Sequence, residues 1–370
     1  MGIIRTILAL AVVFAHTPHP YVFVGGRNAV QMFYMISGFL ISYVLLNTPA
    51  YRNPVVFWLN RALRLYPAYY IVAALTLVGY ALFNPLYWQA CGSLPAAAQA
   101  FMAAVNVTLI GQDWSLFMAV NDGGLTFSSP VAGTTSLGIS HCLLVLPSWT
   151  LGLELSFYLI APFIVRRPIV LLILFALALT GRLFAIASGF GLDEPWSYRF
   201  FPFELALFIA GVFSHQRLLQ PSIAFVAKSK AKNVPTYVMA LCVAAIAFYY
   251  AVPLPEAVKT PMLLALLFFS LPYLFIFQSR SKWDKLIGDL SYPIYIGHLL
   301  VLLTLAYLVR KYGFVEPMSW TRSLLGVAGA VIFAAFLKIF VTDPIETRRQ
   351  RVKRGIAIPS DLAPTTPTAP

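Results

Sequence analysis

Apolar residues fill this chain in long unbroken runs rather than alternating with polar ones, and most runs are of the length a helix needs to cross a bilayer. They predict helices near residues 3 to 20, 29 to 46, 66 to 84, 148 to 165 and 168 to 187. Five more are expected near 200 to 214, 236 to 254, 261 to 279, 290 to 309 and 323 to 341. The fold class is therefore all-α, a polytopic transmembrane helical bundle of about ten helices. One further apolar piece, AAAQAFMAAVNVTLI in segment 96–110, is short for a span and would invert everything downstream if it crossed once. A re-entrant or interfacial segment is expected there.

Composition agrees, with 60% hydrophobic and only 11% charged residues, which excludes an ordinary soluble domain. The net charge of +13 raises the question of nucleic acid, but the basic residues stand at the ends of apolar runs and line no soluble face. They set an orientation instead. With both termini in the cytoplasm, 19 of the 26 basic residues fall inside, among them Arg52, Arg166, Arg217, Lys282 and the run ETRRQRVKR. A single membrane domain, residues 1–345, is expected, followed by a tail, 346–370, that is basic and then disordered in its Pro- and Thr-rich end. The first helix lacks a small-residue cleavage site and is read as retained. The match of MGIIRT to a myristoylation pattern is read as chance, because it leads straight into a span.

No lysine or arginine occurs between Arg64 and Arg166, so the long connection from about 85 to 147 belongs outside. Its Gly-, Ser-, Asn- and Pro-rich part favours an irregular loop, well placed to cover a substrate entrance. Cys91 and Cys142 share this connection, where an oxidising compartment would permit a disulfide. Cys242 lies within a span and is read as packing. The sequon at Asn106 sits in an apolar segment and carries little weight.

The candidate chemistry begins with Arg5 and His16, eleven residues apart within the first helix and so roughly 16 Å apart along its axis. An ionisable residue carried into hydrocarbon is expensive and marks a functional site by default. A neutral imidazole is a competent general base toward a hydroxyl proton; the alternative for His16 is a helix–helix hydrogen bond. His19, one turn on, shares the role or faces the outer interface. Arg61 and Arg64 project from one helix face and suit a phosphate, or serve as ordinary inside anchors. Glu154 can orient an imidazolium or bind sugar hydroxyls, or be a water-exposed residue near a helix end. Glu204 lies near a helix boundary. His298 lies roughly 12 Å into its span, deep enough to meet His16 or a thioester, or to pack. The histidines lack metal-ligand spacing, and neither a Gly-x-Ser-x-Gly elbow nor a phosphate-binding glycine loop occurs. No metal and no bound cofactor are expected.

With these residues stand QMFYMISGFLIS, FWLNRALRLYP, PSWTLGLELSFYLIAP and GDLSYPIYIGHLLVLL, in that order along the chain. In this the chain resembles the acyltransferase 3 family of bacterial integral-membrane O-acyltransferases, which modify polysaccharides, lipopolysaccharide and Nod factors. The resemblance covers roughly residues 3 to 345. It implies a catalytic His16 partnered by Arg5, and an acyl-CoA-binding pair in Arg61 and Arg64. Glu154, Ser37, Gly38, Phe39, Tyr295 and His298 fall on further motif positions. It also implies acyl-CoA, most simply acetyl-CoA, as donor substrate and a glycan or lipid-linked sugar as acceptor, in the bacterial inner membrane among its lipids. Two departures, NAVQMFY for a GVDLFF-type lead-in and Leu155 for a second acidic residue, bear on acceptor specificity more than on the reaction. Some relatives carry an appended hydrolase-like domain, and none is expected here. The competing class is a transporter or flippase of a glycan or lipid intermediate, with the histidines as proton-relay or packing groups. A membrane scaffold is a third.

Overall fold

The structure, a computed structural model, describes residues 1–18, 23–121, 123–127, 137–228, 231–316 and 318–355, with side chains to residue 350. His19, Lys230, part of the outer loop and the tail beyond 355 lie outside the described residues.

The chain opens with α1 (Gly2–Ala15), α2 (Gly26–Asn47) and α3 (Pro54–Phe83). The long connection holds α4 (Pro85–Gly92), α5 (Ala96–Thr108) and a small antiparallel sheet of β1 (Met118–Asn121), β2 (Gly124–Phe127) and β3 (Leu137–Gly138). The strand order is β2-β1-β3, with Met118 opposite Phe127 and Ala119 opposite Gly138. Then follow α6 (Trp149–Ile164), α7 (Pro168–Ala187), α8 (Phe201–Phe213), α9 (Leu219–Ala227) and α10 (Val234–Ala247). The last block is α11 (Glu256–Arg280), α12 (Lys282–Gly288), α13 (Ser291–Tyr312), α14 (Trp320–Leu337) and α15 (Asp343–Gly355).

Every apolar run singled out above carries a helix. Six stretches are long and apolar enough to cross a membrane: Gly26–Asn47, Pro54–Phe83, Pro168–Ala187, Glu256–Arg280, Lys282–Tyr312 and Trp320–Gln350. At the other four expected spans, α1, α6, α8 and α10 have 14, 16, 13 and 14 residues, fewer than the expected runs. Large apolar side chains face outward along α7, where Ile169, Leu172, Leu177 and Phe184 are all more than half exposed. Such a helix needs hydrocarbon, not water, around it. The molecule is a multi-pass membrane protein.

Three boundaries differ from expectation for physical reasons. α1 stops at Ala15, not near residue 20, and His16 caps it with φ −103° and ψ 3°. Thr17 precedes Pro18, and a residue before proline is pushed out of the helical region. α3 begins at Pro54, twelve residues before the expected start, with the Asn53 side chain accepting from the Val55 N–H at 2.9 Å. The charge of Arg61 and Arg64 hides this stretch from an apolar-run reading. Segment 96–110 folds as the 13-residue α5, ended by Leu109 in the left-handed conformation at φ 61°. The basic run after Glu346 is helical as far as Gly355 and lies against α3.

Close crossings fix the bundle. A Cβ built on Gly38 would stand 1.9 Å from the Phe208 carbonyl oxygen, and one on Gly211 would stand 2.0 Å from that of Met35. Only glycine lets α2 and α8 approach this far. At the other end the Asp284 carboxylate of α12 accepts from the Gly2 and Ile3 N–H groups at 2.7 and 2.9 Å, capping α1 where helix N–H groups lack partners. That cap sets the height of Arg5 one turn above.

Candidate active site

Five helices contribute to one partly open cavity of about 750 Å³, its solvent-filled mouth included. α1 supplies Arg5, α2 supplies Val30, Phe33, Tyr34, Ile36, Ser37, Leu40 and Ile41, and α3 supplies Arg61, Arg64 and Leu65. Thr150, Leu151, Glu154 and Tyr158 come from α6, and Ser291, Tyr292 and Tyr295 from α13. Of the eight site residues expected from sequence, Arg5, Ser37, Arg61, Arg64, Glu154 and Tyr295 line this one space. His16 and His298 do not.

The cavity's charge is arranged by its walls. Glu154 accepts a hydrogen bond from the Ser37 hydroxyl at 2.8 Å and another from Tyr158, one turn along α6. It touches neither histidine, so its partners are hydroxyls and not an imidazole. Among the described residues no hydrogen bond or ion pair engages the Arg5 or Arg64 side chain, while Arg61 donates to the Asn60 side chain at 2.8 Å and lies over the Phe57 ring, 5.7 Å from its centre. Arg64 and Glu154 both lie within electrostatic reach of Arg5. Guanidinium groups without a carboxylate partner, facing this partly open space, favour an anionic occupant.

At the Tyr295 end, Thr150 donates to the Tyr295 hydroxyl at 2.9 Å, and the Tyr295 ring lies 6.0 Å from that of His298. His298 in turn lies 5.1 Å from His16, ring centre to ring centre. The Nδ1 of His16 lies 2.8 Å from the Val12 carbonyl, and the Nδ1 of His298 lies 2.7 Å from that of Tyr295. A carbonyl only accepts, so in each ring Nδ1 carries the proton and a neutral ring presents its lone pair on Nε2. The Nε2 of His298 is buried without a hydrogen-bond partner. His16 is exposed at the end of α1 and not enclosed in the bundle, because the helix that was to bury it has already ended.

Glu204, hard to place from sequence, is fully buried on α8 and pairs with Arg182 at 2.7 Å, with Gln31 donating at 3.3 and 3.4 Å. This cluster ties α2, α7 and α8 together outside the cavity. Gly38 proves a packing residue of the α2–α8 crossing, and Phe39 is fully buried beside it. Three hydroxyls went unrecognised: Tyr158, Tyr292, and Tyr34, whose buried oxygen has no partner. The spacing signal was present, since Tyr158 lies four residues beyond Glu154 and Tyr292 three before Tyr295.

A membrane-embedded helical bundle around an arginine- and tyrosine-lined cavity, with a histidine pair beside its Tyr295, defines the class. The family model of the acyltransferase domain matches residues 1–339, and the chain belongs to that family of membrane acyltransferases. Neither a curated protein nor a solved structure matches it.

Proposed function

We propose that the protein moves an acyl group, acetyl in the simplest case, from cytoplasmic acyl-CoA to a hydroxyl of a glycan or glycolipid at the outer face of the bacterial inner membrane. The observation that carries this reading is the cavity lined by Arg5, Arg61, Arg64, Glu154 and Tyr295, with the Tyr295 ring 6.0 Å from the His298 ring of the paired imidazoles. Phosphates of the donor would sit against Arg61 and Arg64, and the pantetheine arm would carry the thioester along the cavity. In the direct route Nε2 of His16 takes the acceptor's hydroxyl proton as its oxygen bonds to the thioester carbon. The C–S bond then breaks and the thiolate regains a proton from the imidazolium. In the relayed route His16 is itself transiently acylated, and ping-pong kinetics would mark it.

The test is mass spectrometry of cell-surface glycans, with and without mild base, from cells carrying wild-type protein or an equally abundant His16→Ala variant. Base-labile acetyl groups present with the wild type and lost with the variant support the reading. Equal acetylation in both removes His16 from the chemistry.

A further inference from the structure

Beyond the Arg61–Arg64 pair stands a third arginine from the far end of the chain. Arg349 lies on α15, which packs against α3. Its Nη2 donates to the Asn60 Oδ1 at 3.1 Å, the same oxygen that takes Arg61 Nη2 at 2.8 Å. Asn60 is fully buried and Arg61 is 5% exposed. Two guanidinium groups thus converge on one neutral acceptor, which satisfies hydrogen bonds but cancels no charge. Arg64 completes the group within electrostatic reach of Arg349.

The charge balance is incomplete. Arg349 pairs with Glu346, yet among the described residues no carboxylate pairs with Arg61 or Arg64. The Nε atoms of both Arg61 and Arg349 are buried without partners. Like charges gathered out of water are costly unless an anion joins them. Convergent guanidinium forks match the tetrahedral oxygens of a phosphate. Arg61 lines the cavity and Arg349 does not, so Arg349 stands behind Arg61, on the α15 side of the cavity wall.

We propose that Arg349 forms with Arg61 a phosphate-binding site at this edge of the cavity, and that the site takes the nucleotide phosphates of the acyl-CoA donor. This rests on the donor assigned under Proposed function. The C-terminal helix then belongs to the donor site, not to the membrane anchor alone.

The test uses the full-length protein in nanodiscs, with CoA binding measured by calorimetry for wild type, Arg349→Gln and Arg349→Lys. Loss of one charge-assisted phosphate contact is expected to weaken CoA binding by about ten- to a hundredfold in Arg349→Gln. Arg349→Lys is expected to recover part of that loss, since it keeps the charge without the fork. If Arg349→Gln does not fold, Arg349→Lys decides alone, and binding as tight as wild type counts against the site. Wild type and Arg349→Gln binding CoA equally would overturn the inference while leaving the donor reading intact. Wild type ignoring CoA would overturn both. Native mass spectrometry with phosphatidylglycerol provides the second arm: loss of bound lipid from Arg349→Gln, with CoA affinity unchanged, assigns the phosphate at this site to a lipid headgroup and overturns the inference, not the donor reading.

Discussion

His16 and His298, drawn from opposite ends of the chain, face each other with ring centres 5.1 Å apart and both Nδ1 atoms committed to backbone carbonyls. Each ring is thereby left with one free nitrogen. Removing a general base costs about 10²- to 10⁴-fold in rate, and that range is expected for His16→Ala. His298→Ala should cost less, because it removes a neighbour of the proposed base rather than that base. Acyl-transfer rates in membranes with matched protein levels check the order, and a His298→Ala defect larger than that of His16→Ala would reverse the two roles.

The Ser37 hydroxyl and Tyr158 together hold the Glu154 carboxylate against the cavity wall. Ser37→Ala is expected to lower activity by about fivefold to thirtyfold, the effect of one hydrogen bond of about 1–2 kcal/mol. Glu154→Gln keeps the shape and loses the charge, so it should be worse than Ser37→Ala. Activity retained in Glu154→Gln would show that the group acts as a hydrogen-bonding surface and not as a carboxylate.

Arg182 and Glu204 form a buried ion pair at 2.7 Å with Glu204 fully enclosed. Breaking such a pair from one side leaves an uncompensated buried charge and costs about 3–5 kcal/mol. Arg182→Ala and Glu204→Ala should each lower the unfolding midpoint in detergent strongly. The double variant should be less damaged than the sum of the two. Additive losses would mean that the two groups do not depend on each other.

Asp113, in the long connection between α3 and α6, has its carboxyl pushed up from 3.8 to about 7 by burial, with one oxygen unpartnered. The folded protein therefore holds this proton more tightly than the unfolded chain. Its contribution to stability is fully present below pH 4 and is lost as pH rises through about 7. Asp113→Asn should flatten the dependence between pH 4 and 7 and raise stability at pH 8. Thermal unfolding at a series of pH values reads this directly, and an unchanged slope in the variant would assign the dependence to other groups.

Helix positions were largely legible in the sequence because a run of apolar side chains has few stable forms in a membrane other than a helix. Where charge interrupted the run, the reading failed: Arg61 and Arg64 concealed the first turns of α3. Arg5, Ser37, Arg61, Arg64, Glu154 and Tyr295 were singled out through the resemblance to the family, and the structure brings them round one cavity, but their division from the histidines was not legible. That division depends on where α1 stops and on the direction each ring takes, neither of which periodicity encodes. Cys91 and Cys142 were assigned to one connection, and the structure joins them in a disulfide across a sequence separation of 51. The pairing required a distance. Arg349 looked like an inside anchor because nothing in a basic run tells which of its members turns toward the bundle.

The α2–α8 crossing has a bearing on how this protein would be read by genetics. Gly38 and Gly211 admit no side chain at all, since any Cβ meets a carbonyl oxygen at about half the distance two atoms can share. A screen for inactive clones would therefore recover Gly38→Ala beside His16→Ala and rank them alike, although one loses the bundle and the other the base proposed for it. Protein abundance, scored in the same clones, sorts the two, and a map of essential positions in this chain becomes a map of chemistry only after that sorting.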